Sequence, residues 1–566
     1  MTRTLTIALV ALASVACSEL PPSLYFDAAL RGDAGTADAD GNVTPGTDGP
    51  RPDGTPPVTD GPPPLPDGPL PPGTFDWRDG VMYFVLLDRF YDGNSSNNKP
   101  EPNVETAANW QGGDLAGLLS RIKSGYFTDL GVNVLWLSSP VDAPDGKYPG
   151  TDGHDYTGYH GYWPADLTKV EERLGDVALL KQVVDEAHKA GIKVIFDYVM
   201  NHVHDTSPTY QQNQGWFWPL DKNGATCVCG GGCSWGGSDG LRCWFDPFLP
   251  DFNFTVPAAR SFSVGNAVGW VKQTGIDGFR LDAVKHIEDS WLVDLRSALK
   301  SQGIGTTGGR FYMVGETFDG DRGVIKAYVD PSNKLDGQFD FPLRAVVVKT
   351  LLRRQGSLKE LDTFMNSNDT FYGPGSIMST FIGNHDLPRP IHIAEDNSLW
   401  DEWGGGKERA WNNRPTQPTY ARPYERLATA FTLLFGIQGI PLIYYGDEIG
   451  MAGAGDPDNR RMMTWGGENP HQLALRDHIK QLTKIRAAHP ALRRGARKEA
   501  WLADDVYAFT RSDGKETLVV VINRSDTSQT IKLDHIKKGY FTDLISNQSI
   551  AADNVVVLPR ASLILQ

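Results

Sequence analysis

Short apolar runs alternate with amphipathic stretches from about residue 75 onward. The stretches between the runs have helical character, as in the segment 115–130 and in DVALLKQVVDEAHKAG. The eight runs are, in chain order, VMYFVLL, VNVLWL, IKVIFDYV, GFRLDAV, FYMVGET, LDGQFDF, IMSTFIG and IPLIYYG. Eight strands alternating with helices predict an α/β fold, a (β/α)8 TIM barrel, over residues 75–202 and 261–493.

The barrel pattern is interrupted once and is then replaced by another. Residues 203–260 follow the third run, lack helical periodicity and hold four of the five cysteines. They predict an inserted subdomain, because structureless loops of this length are uncommon. From 494 to 566 short alternating strands predict an antiparallel β-sandwich domain. The hexamer GYFTDL begins at Gly125 in a helical context and at Gly539 among strands, so no repeat is inferred.

The N-terminal residues 1–17 have the pattern of an export signal. Arg3 precedes LTIALVALA, an apolar run too short to span a bilayer, and SVAC follows it. A cysteine after small residues looks like a bacterial lipobox and predicts lipid attachment at Cys17; ordinary cleavage after Ser-Val-Ala, giving a secreted protein, is the alternative. Residues 18–74 are rich in Pro, Gly, Asp and Thr, which predicts a disordered tether. We expect an exported protein, either a bacterial outer-membrane or cell-surface lipoprotein or a secreted one.

Composition and net charge limit the classes of binding partner that are expected for this chain. A hydrophobic content of 40% is enough for a large core, and the net charge of −15 argues against nucleic acid or an anionic membrane surface as partner. An uncharged ligand is compatible with this charge. We expect a monomer whose membrane contact, in the case that Cys17 is lipidated, is through that anchor only. In an exported chain the four clustered cysteines predict disulfides with three possible pairings, and a zinc site is the weaker alternative. These cysteines are Cys227, Cys229, Cys233 and Cys243.

Charged side chains stand where several predicted strands end. Arg280 and Asp282 are two residues apart, so strand alternation points both into the mouth of the barrel. A structural ion pair would explain these two alone. The ends of three other strands carry further carboxylates, amides or histidines, which packing does not explain: Glu316, His385, Asp386, Asp197, Asn201 and His202.

Three carboxylates with an arginine and histidines suit cleavage of a glycosidic bond. A retaining mechanism needs a nucleophile and a general acid/base about 5–5.5 Å apart. The acid must stay protonated, which partial burial beside another carboxylate achieves. Arg280 beside Asp282 would keep a nucleophilic carboxylate ionised. The pair therefore indicates a nucleophile and the cation that holds it charged.

Six segments resemble those of the alpha-amylase family, glycoside hydrolase family 13. DYVMNH, GFRLDAVKH, GET and NHD resemble four signature segments in order, and YHGYW and LPDFN resemble two more. The resemblance runs from about Phe75 to the C-terminus. It implies a barrel with a domain B after the third strand, a C-terminal β-domain, and an α-glucan polysaccharide or oligosaccharide as substrate.

The resemblance also implies a role for each matching residue. Asp282 is the nucleophile, Glu316 the general acid/base, and Asp386 the group that binds sugar hydroxyls and stabilises the oxocarbenium-like transition state. Tyr162 would stack on the sugar at the cleavage subsite. Further sugar contacts would come from His160, Trp163, His202, Arg280 and His385, from Asp456 and Arg460 on the donor side, and from Lys285 and His286 on the acceptor side. A buried structural role is the alternative for Trp163.

Two calcium sites are implied by the same resemblance, and oxygen ligands suit this ion. The ligands of the first, between domain B and the barrel, would be Asn201, Asp251, the carbonyl of His286 and a carbonyl near Leu241. The second resembles a site of cyclodextrin glucanotransferases, and its ligands would be Asp92, Asn94, Asn97, Asn98, Gly112 and Asp114. A polar turn is the alternative for the run DGNSSNN.

The leading hypothesis is an exported α-amylase that cuts internal α-1,4 bonds of starch, glycogen and maltooligosaccharides with retention. A cyclodextrin glucanotransferase, or another transglycosylase or neopullulanase-type enzyme, is the alternative, and the family's central aromatic aligns with Pro247, next to Phe248. Ala283 after the nucleophile and the pair Lys285-His286 disfavour an α-1,6 glucosidase. A catalytically silent glucan-binding lipoprotein would lack a catalytic carboxylate, and all three are present.

Overall fold

The computed structural model describes residues 74–305, 309–395, 400–536 and 539–566. The expectations for the export signal, for Cys17 and for nearly all of the linker fall on residues 1–73, outside the described ones. Within the part of the chain that is described, no helix has both the length and the apolar character needed to cross a membrane.

The eight predicted strands form one parallel sheet. They are β1 (Met82–Val85), β2 (Val134–Leu137), β3 (Lys193–Tyr198), β4 (Gly278–Leu281), β5 (Tyr312–Gly315), β6 (Gly337–Gln338), β7 (Ser379–Thr380) and β8 (Ile440–Tyr444). Their order is β6-β5-β4-β3-β2-β1-β8-β7, and a parallel bridge between Phe339 and Ser379 joins the two ends. The predicted (β/α)8 barrel is confirmed.

Burial explains why these strands read as continuous apolar runs. Every residue of β1, β2, β4 and β5 is buried, as expected when helices cover the outer face of a parallel sheet and side chains fill its inside. The longer helices of the barrel region are Leu115–Lys123, Val177–Lys189, Pro257–Thr274, Asp289–Ser301, Leu358–Asn368, Ala421–Gly436 and Pro470–Ala488. Asp114 and Asp176 begin the first two by accepting hydrogen bonds from backbone amides of the first turn.

Aromatic rings fill the barrel just below its mouth. Phe84 on β1 and Trp136 on β2 stack with centroids 3.7 Å apart, and Phe339 lies 5.1 Å from Trp136. Arg280 on β4 lies over Trp136 at 5.2 Å, and the β3–β4 register pairs it with Asp197. The packed core therefore supports the charged residues at the strand ends from below.

The cysteine-rich insertion has little regular structure. It contains the short helices Pro208–Gln212 and Gly237–Gly240 and a hairpin of Asp221–Lys222 with Ala225–Thr226, and the helix Pro257–Thr274 begins inside the span 203–260. Disulfides join Cys227 to Cys233 and Cys229 to Cys243. This is one of the three possible pairings, and because it consumes all four thiols it argues against the zinc alternative.

The C-terminal region is an antiparallel β-domain, as predicted. Its four-stranded sheet has the order β9 (Ala496–Leu502), β10 (Val506–Ser512), β11 (Thr517–Asn523) and β16 (Ala561–Leu565). Two further ladders pair β12 (Gln529–Ile531) with β15 (Val555–Val557) and β13 (Tyr540–Thr542) with β14 (Ser549–Ala551). The four-stranded sheet and the two ladders share an apolar core that is separate from the core of the barrel. The barrel helix Ala421–Gly436 packs on β11 and β16.

Candidate active site

One buried guanidinium joins three carboxylates at the mouth of the barrel. Arg280 is 1% exposed, and its Nη1 donates hydrogen bonds to Asp197 and to Asp282, each at 2.7 Å. Its Nη2 lies 2.7 Å from Oε2 of Glu316. A buried charge is costly unless it is paired and hydrogen-bonded. The strand ends of β3, β4 and β5 supply the partners that satisfy this one.

The backbone turns sharply just after Asp282. Ala283 has φ +47°, in the left-handed region that a side chain makes unfavourable by roughly 1–3 kcal/mol. A 3₁₀ turn over Val284–His286 follows, and the amide of Val284 donates to the carbonyl of Glu316 at 2.9 Å. Asp282 lines the cleft, and the hydrogen bond from Val284 connects the turn after it to the end of β5.

The surroundings of Glu316 favour the protonated form of its carboxyl. Glu316 is only 9% exposed. Burial raises the pKa of its carboxyl to about 8, although the positive charge of Arg280 lowers this pKa. Nearby carboxylates, including Asp386, add to the rise. A carboxylic acid that keeps its proton at neutral pH can donate it to a leaving group.

A second arginine organises the opposite wall. Nη2 of Arg460 lies 3.2 Å from Asp386, and Nη1 lies 3.2 Å from Asp456. Nε of Arg460 donates to the carbonyl of His385 at 2.9 Å. Asp386 stays open to the cleft, with 35% of its side-chain surface exposed. Its carboxylate is thus fixed by an arginine and still accessible to a ligand.

Tyr162 lines the cleft, and four contacts fix its position. Its hydroxyl donates to Asp197 at 2.7 Å, and its ring stacks on His385 with centroids 5.0 Å apart. Nε2 of His202 bonds to its carbonyl at 2.8 Å, and its amide donates to Nδ1 of His160 at 3.0 Å. A tyrosine ring fixed this way is a preorganised surface for a sugar ring.

The histidines around this ring are neutral at ordinary pH. Burial lowers the pKa of His385 to about 3 and that of His160 well below its usual value. It also lowers the pKa of His202. Neutral imidazoles provide one donor and one acceptor each, which suits hydroxyl recognition.

Lys285 and His286 face different neighbours. Nζ of Lys285 donates to the carbonyl of Phe318 at 2.8 Å, beyond Glu316 along the chain. Nδ1 of the buried His286 bonds to the carbonyl of Gly240 at 2.8 Å, next to Leu241. The imidazole of His286 therefore contacts the cysteine-rich insertion, and its ring lies 4.9 Å from that of Phe245.

The cleft above these residues has a volume of about 610 Å³, within the range of roughly 300–1,000 Å³ typical of small-molecule sites. Many predicted site residues line it together: His160, Tyr162, Trp163, His202, Asp282, His385, Asp386, Asp456 and Arg460. Trp163 also packs on His160 and Phe248 at 4.6 and 5.2 Å, so it combines a cleft position with a packing role.

The sequence comparison identifies the family. A family model for the alpha-amylase catalytic domain matches residues 84–493, and a model for the maltogenic amylase C-terminal domain matches 499–559. The chain belongs to the alpha-amylase family. This family member is 31% identical over 506 residues to the cyclomaltodextrin glucanotransferase of Thermoanaerobacterium thermosulfurigenes, covering 84% of this chain and 65% of that protein.

Other relatives of this alpha-amylase family chain include hydrolases. The beta/alpha-amylase of Paenibacillus polymyxa is 30% identical, over 85% of this chain and 36% of the relative. The chain thus spans less than two thirds of the length of these two curated relatives. Among solved structures, the alpha-amylase of Geobacillus thermoleovorans complexed with acarbose is 28% identical with a TM-score of 0.71, covering 86% of this chain and 98% of that one.

The donor atoms of the first predicted metal site fit a hard cation. Asp251 is fully buried, and within the described chain neither of its carboxylate oxygens has a hydrogen-bond partner of normal geometry. The side-chain oxygen of the buried Asn201 is unpartnered as well. Burial raises the pKa of Asp251 well above its usual value. Unpaired buried oxygens of this kind are the ligand type that calcium binds.

The second predicted site fits in most of its residues. The buried side-chain oxygens of Asn97 and Asn98 lack partners within the described residues, and Nδ2 of Asn98 donates to Asp92 at 2.7 Å. The side chain of Asn98 also occupies the space that a Cβ atom at position 112 would need, and Gly112 has φ +94°. Nδ2 of Asn97 is 3.4 Å from Asp114.

Asn94 departs from this arrangement at the second site. It is exposed, and its side-chain oxygen accepts hydrogen bonds from the amide and the hydroxyl of Ser96. Its side chain is therefore engaged in a local polar turn, and the carbonyl of Asn94 accepts from the amide of Asn97 at 3.2 Å.

The sequence missed the aromatic side chain beside the catalytic centre. Phe245 lines the cleft and lies 5.2 Å from the ring of His202. Phe248, which is next to the aligned Pro247, packs on Trp163 and His204, so Phe245 is a further aromatic candidate for this position. Phe245 stands six residues before Asp251 rather than four, so spacing alone did not find it.

Proposed function

We propose that this alpha-amylase family member is an α-amylase that hydrolyses α-1,4-glucosidic bonds of starch, glycogen and maltooligosaccharides, with retention of configuration. The observation that carries the proposal is the arrangement around Arg280. This single cation contacts Asp282, which faces the cleft, and Glu316, which is buried and whose pKa is raised by that burial. Two carboxylates in unequal environments suit the general acid and the nucleophile of a glycosidase, and both of them contact the same cation.

Each residue then has a defined step. Glu316 donates its proton to the glycosidic oxygen while Asp282 attacks the anomeric carbon, forming a covalent glycosyl-enzyme. Glu316, now a carboxylate, removes a proton from water, and this water displaces Asp282. Asp386 and Arg460 hold the hydroxyls of the reacting sugar, and Tyr162 stacks on its face. Two inversions leave the product in the α configuration.

Glucan transfer is the second candidate, because several relatives are cyclomaltodextrin glucanotransferases. The two reactions share the glycosyl-enzyme and differ in the acceptor, which is water in one case and a sugar hydroxyl in the other. Reaction with maltoheptaose and soluble starch decides between them. Linear products that are α-anomeric in proton NMR during the first minutes support hydrolysis with retention. Cyclic products would favour transfer, and β-anomers appearing first would contradict the role of Asp282.

We further propose that calcium binds both polar sites. Asn201, Asp251, the carbonyl of His286 and a carbonyl near Leu241 would hold the ion between the insertion and the barrel. Asp92, Asn97, Asn98, Asp114 and the carbonyls of Asn94 and Gly112 would hold the other. The unpartnered buried oxygens at each site support this assignment.

Export remains part of the proposal. The N-terminal pattern supports a lipid-anchored or secreted protein whose catalytic region follows a Pro- and Gly-rich tether. Labelling with a radioactive fatty acid tests the anchor, because a Cys17→Ala variant should lose the label. An unlabelled wild-type protein in the medium would favour plain secretion.

A further inference from the structure

If the proposed function holds, the catalytic residues distinguish the acceptor side of the cleft from its donor side. The leaving group departs on the side of Glu316, and the segment after it carries Phe318, whose carbonyl accepts from Lys285. That side receives the acceptor. Arg460 joins Asp386 to Asp456. Under the proposed function Asp386 and Arg460 hold the reacting donor sugar, so the part of the cleft that continues to Asp456 is the donor side.

Two loops form the far end of the donor side. The first, residues 146–156, follows β2 and contains a short hairpin of Tyr148–Pro149 with Asp155–Tyr156. The second, residues 400–415, lies between β7 and the helix Ala421–Gly436. Both loops contribute to the cleft lining near Asp456. They come from distant parts of the chain and meet there.

Side chains lock the two loops together. The indole Nε1 of Trp411 donates to Oδ2 of Asp152 at 2.8 Å, and the hydroxyl of Tyr156 donates to the same oxygen at 2.7 Å. The ring of His154 stacks on Trp411 with centroids 3.7 Å apart and an angle of 11°. Nδ1 of His154 is 2.5 Å from Glu105, which holds the imidazole in place. We call Asp152, His154 and Trp411 the donor-end wall.

The second loop has its own anchorage. Gly406 has φ +77°, and a side chain there would collide with the fully buried indole of Trp400. The amide of Gly455 donates to the carbonyl of Gly406 at 3.3 Å, next to Asp456. Lys407 follows and lines the cleft. The wall is therefore supported both from its own loop and from the loop that carries the donor-side residues.

We propose that Asp152 and Trp411 close the donor end of the cleft and set the length of the product. A glucan chain then places only a few glucose units between the scissile bond and the wall. The enzyme then cuts near chain ends, and not at the internal bonds that the sequence predicts, and it releases short linear maltooligosaccharides. Asp152 and Trp411 stand in the lining beside Asp456, where a long donor chain would have to pass before it folds back on itself to form a ring, so the wall disfavours cyclic products.

Substitution of the wall tests the proposal. Wild type, Trp411→Ala and Asp152→Ala are incubated with maltoheptaose and with amylose, and early products are separated by chromatography. We expect the wild type to release short products, and the fraction of longer products to rise severalfold in both variants. The matched control is Glu408→Ala, an exposed residue of the 3₁₀ turn Lys407–Arg409 that does not line the cleft. Its product pattern should equal that of the wild type.

Trp411→Phe distinguishes the contribution of the ring stacked on His154 from that of the hydrogen bond to Asp152. It also provides a test if Trp411→Ala does not fold. Phenylalanine keeps a ring on His154 but loses the bond to Asp152, so a smaller shift in the same direction is expected. Unchanged product lengths in folded Trp411→Ala and Asp152→Ala, with melting temperatures near that of the wild type, would overturn the proposal. So would cyclic products from the wild type. A wild type that cuts no α-glucan would instead refute the proposed function itself.

Discussion

Arg280 donates hydrogen bonds from one nitrogen, Nη1, to Asp282 and to Asp197, each at 2.7 Å. Its second terminal nitrogen contacts Glu316 at the same distance. One buried cation thus fixes the groups assigned as nucleophile and general acid/base relative to each other. Because β3, β4 and β5 are adjacent, the geometry depends on the barrel and not on a mobile loop.

Isosteric substitutions should abolish turnover without unfolding the protein. Glu316→Gln removes the proton donor, and we expect kcat to fall roughly 10²–10⁴-fold. Asp282→Asn removes the nucleophile, so its loss should be at least as large. Initial rates on maltoheptaose measure both, with melting temperature as the control for folding. Turnover near that of the wild type in either folded variant would rule out the assigned roles.

The pH profile should report the protonation of Glu316. Its pKa is raised to about 8, chiefly by burial, so activity should persist through neutral pH and fall as pH rises through that pKa. Asp197→Asn removes a negative charge that contributes to this rise and leaves more of the Arg280 charge for Glu316. Both effects lower the pKa of Glu316.

The alkaline limb of kcat/KM should therefore move to lower pH in Asp197→Asn. Rate measurements across the pH range in a constant-ionic-strength buffer check this. Because Tyr162 also bonds to Asp197, Tyr162→Phe serves as the control for loss of that contact. An alkaline limb that stays in place, or moves upward, would contradict the electrostatic account.

Chelation should lower the melting temperature and then the activity. An ion that binds only the folded state adds its binding free energy to stability, and chelation removes it. Asp251→Ala should reproduce both effects, because Asn201 adjoins His202 and the carbonyl of His286 follows Lys285. Asp92→Ala should lower mainly the melting temperature, since none of the proposed sugar contacts lies in that loop.

Calorimetry with and without chelator, and with added calcium, provides the readout. Calcium should restore the wild type fully and Asp251→Ala only in part. Identical melting curves before and after removal of the metal, with zero metal content verified, would exclude calcium as a structural component.

The two disulfides should differ in their contribution to stability. The Cys229–Cys243 bond spans 14 residues and the Cys227–Cys233 bond spans 6, and a disulfide that closes a longer loop restricts the unfolded chain more. Replacing both members of the longer pair by serine should cost up to about 3 kcal/mol, with a smaller loss for the shorter pair. Denaturant unfolding measures this, and the reverse order would contradict it.

The barrel and its strand-end residues could be predicted because both signals are local. Apolar runs mark the buried strands, Asp282 and Glu316 stand directly after β4 and β5, and Asp386 lies six residues after β7. The two copies of YFTDL show where local signals stop. Tyr126–Leu130 is a helix, whereas Tyr540–Thr542 is a strand paired with Ser549–Ala551. Tertiary packing decides the structure of this pentapeptide.

The parts of the site that could not be predicted depend on contacts between distant segments. Phe245 reaches the cleft from the cysteine-rich insertion, and no motif marks it. Trp411 meets Asp152 across 259 positions of the chain. The imidazole of His286 bonds to Gly240 in the insertion, a contact that no motif encodes. Such pairs follow from how loops meet above the barrel.

Trapping the covalent intermediate tests the central assignment most directly. Glu316→Gln is mixed with an α-maltosyl fluoride, whose leaving group needs no proton donor, and the protein is digested and mapped by mass spectrometry. Without its general base the variant should accumulate a maltosyl ester on the peptide that contains Asp282. An adduct on another residue, or efficient turnover to a β-configured product with no adduct, would contradict the account.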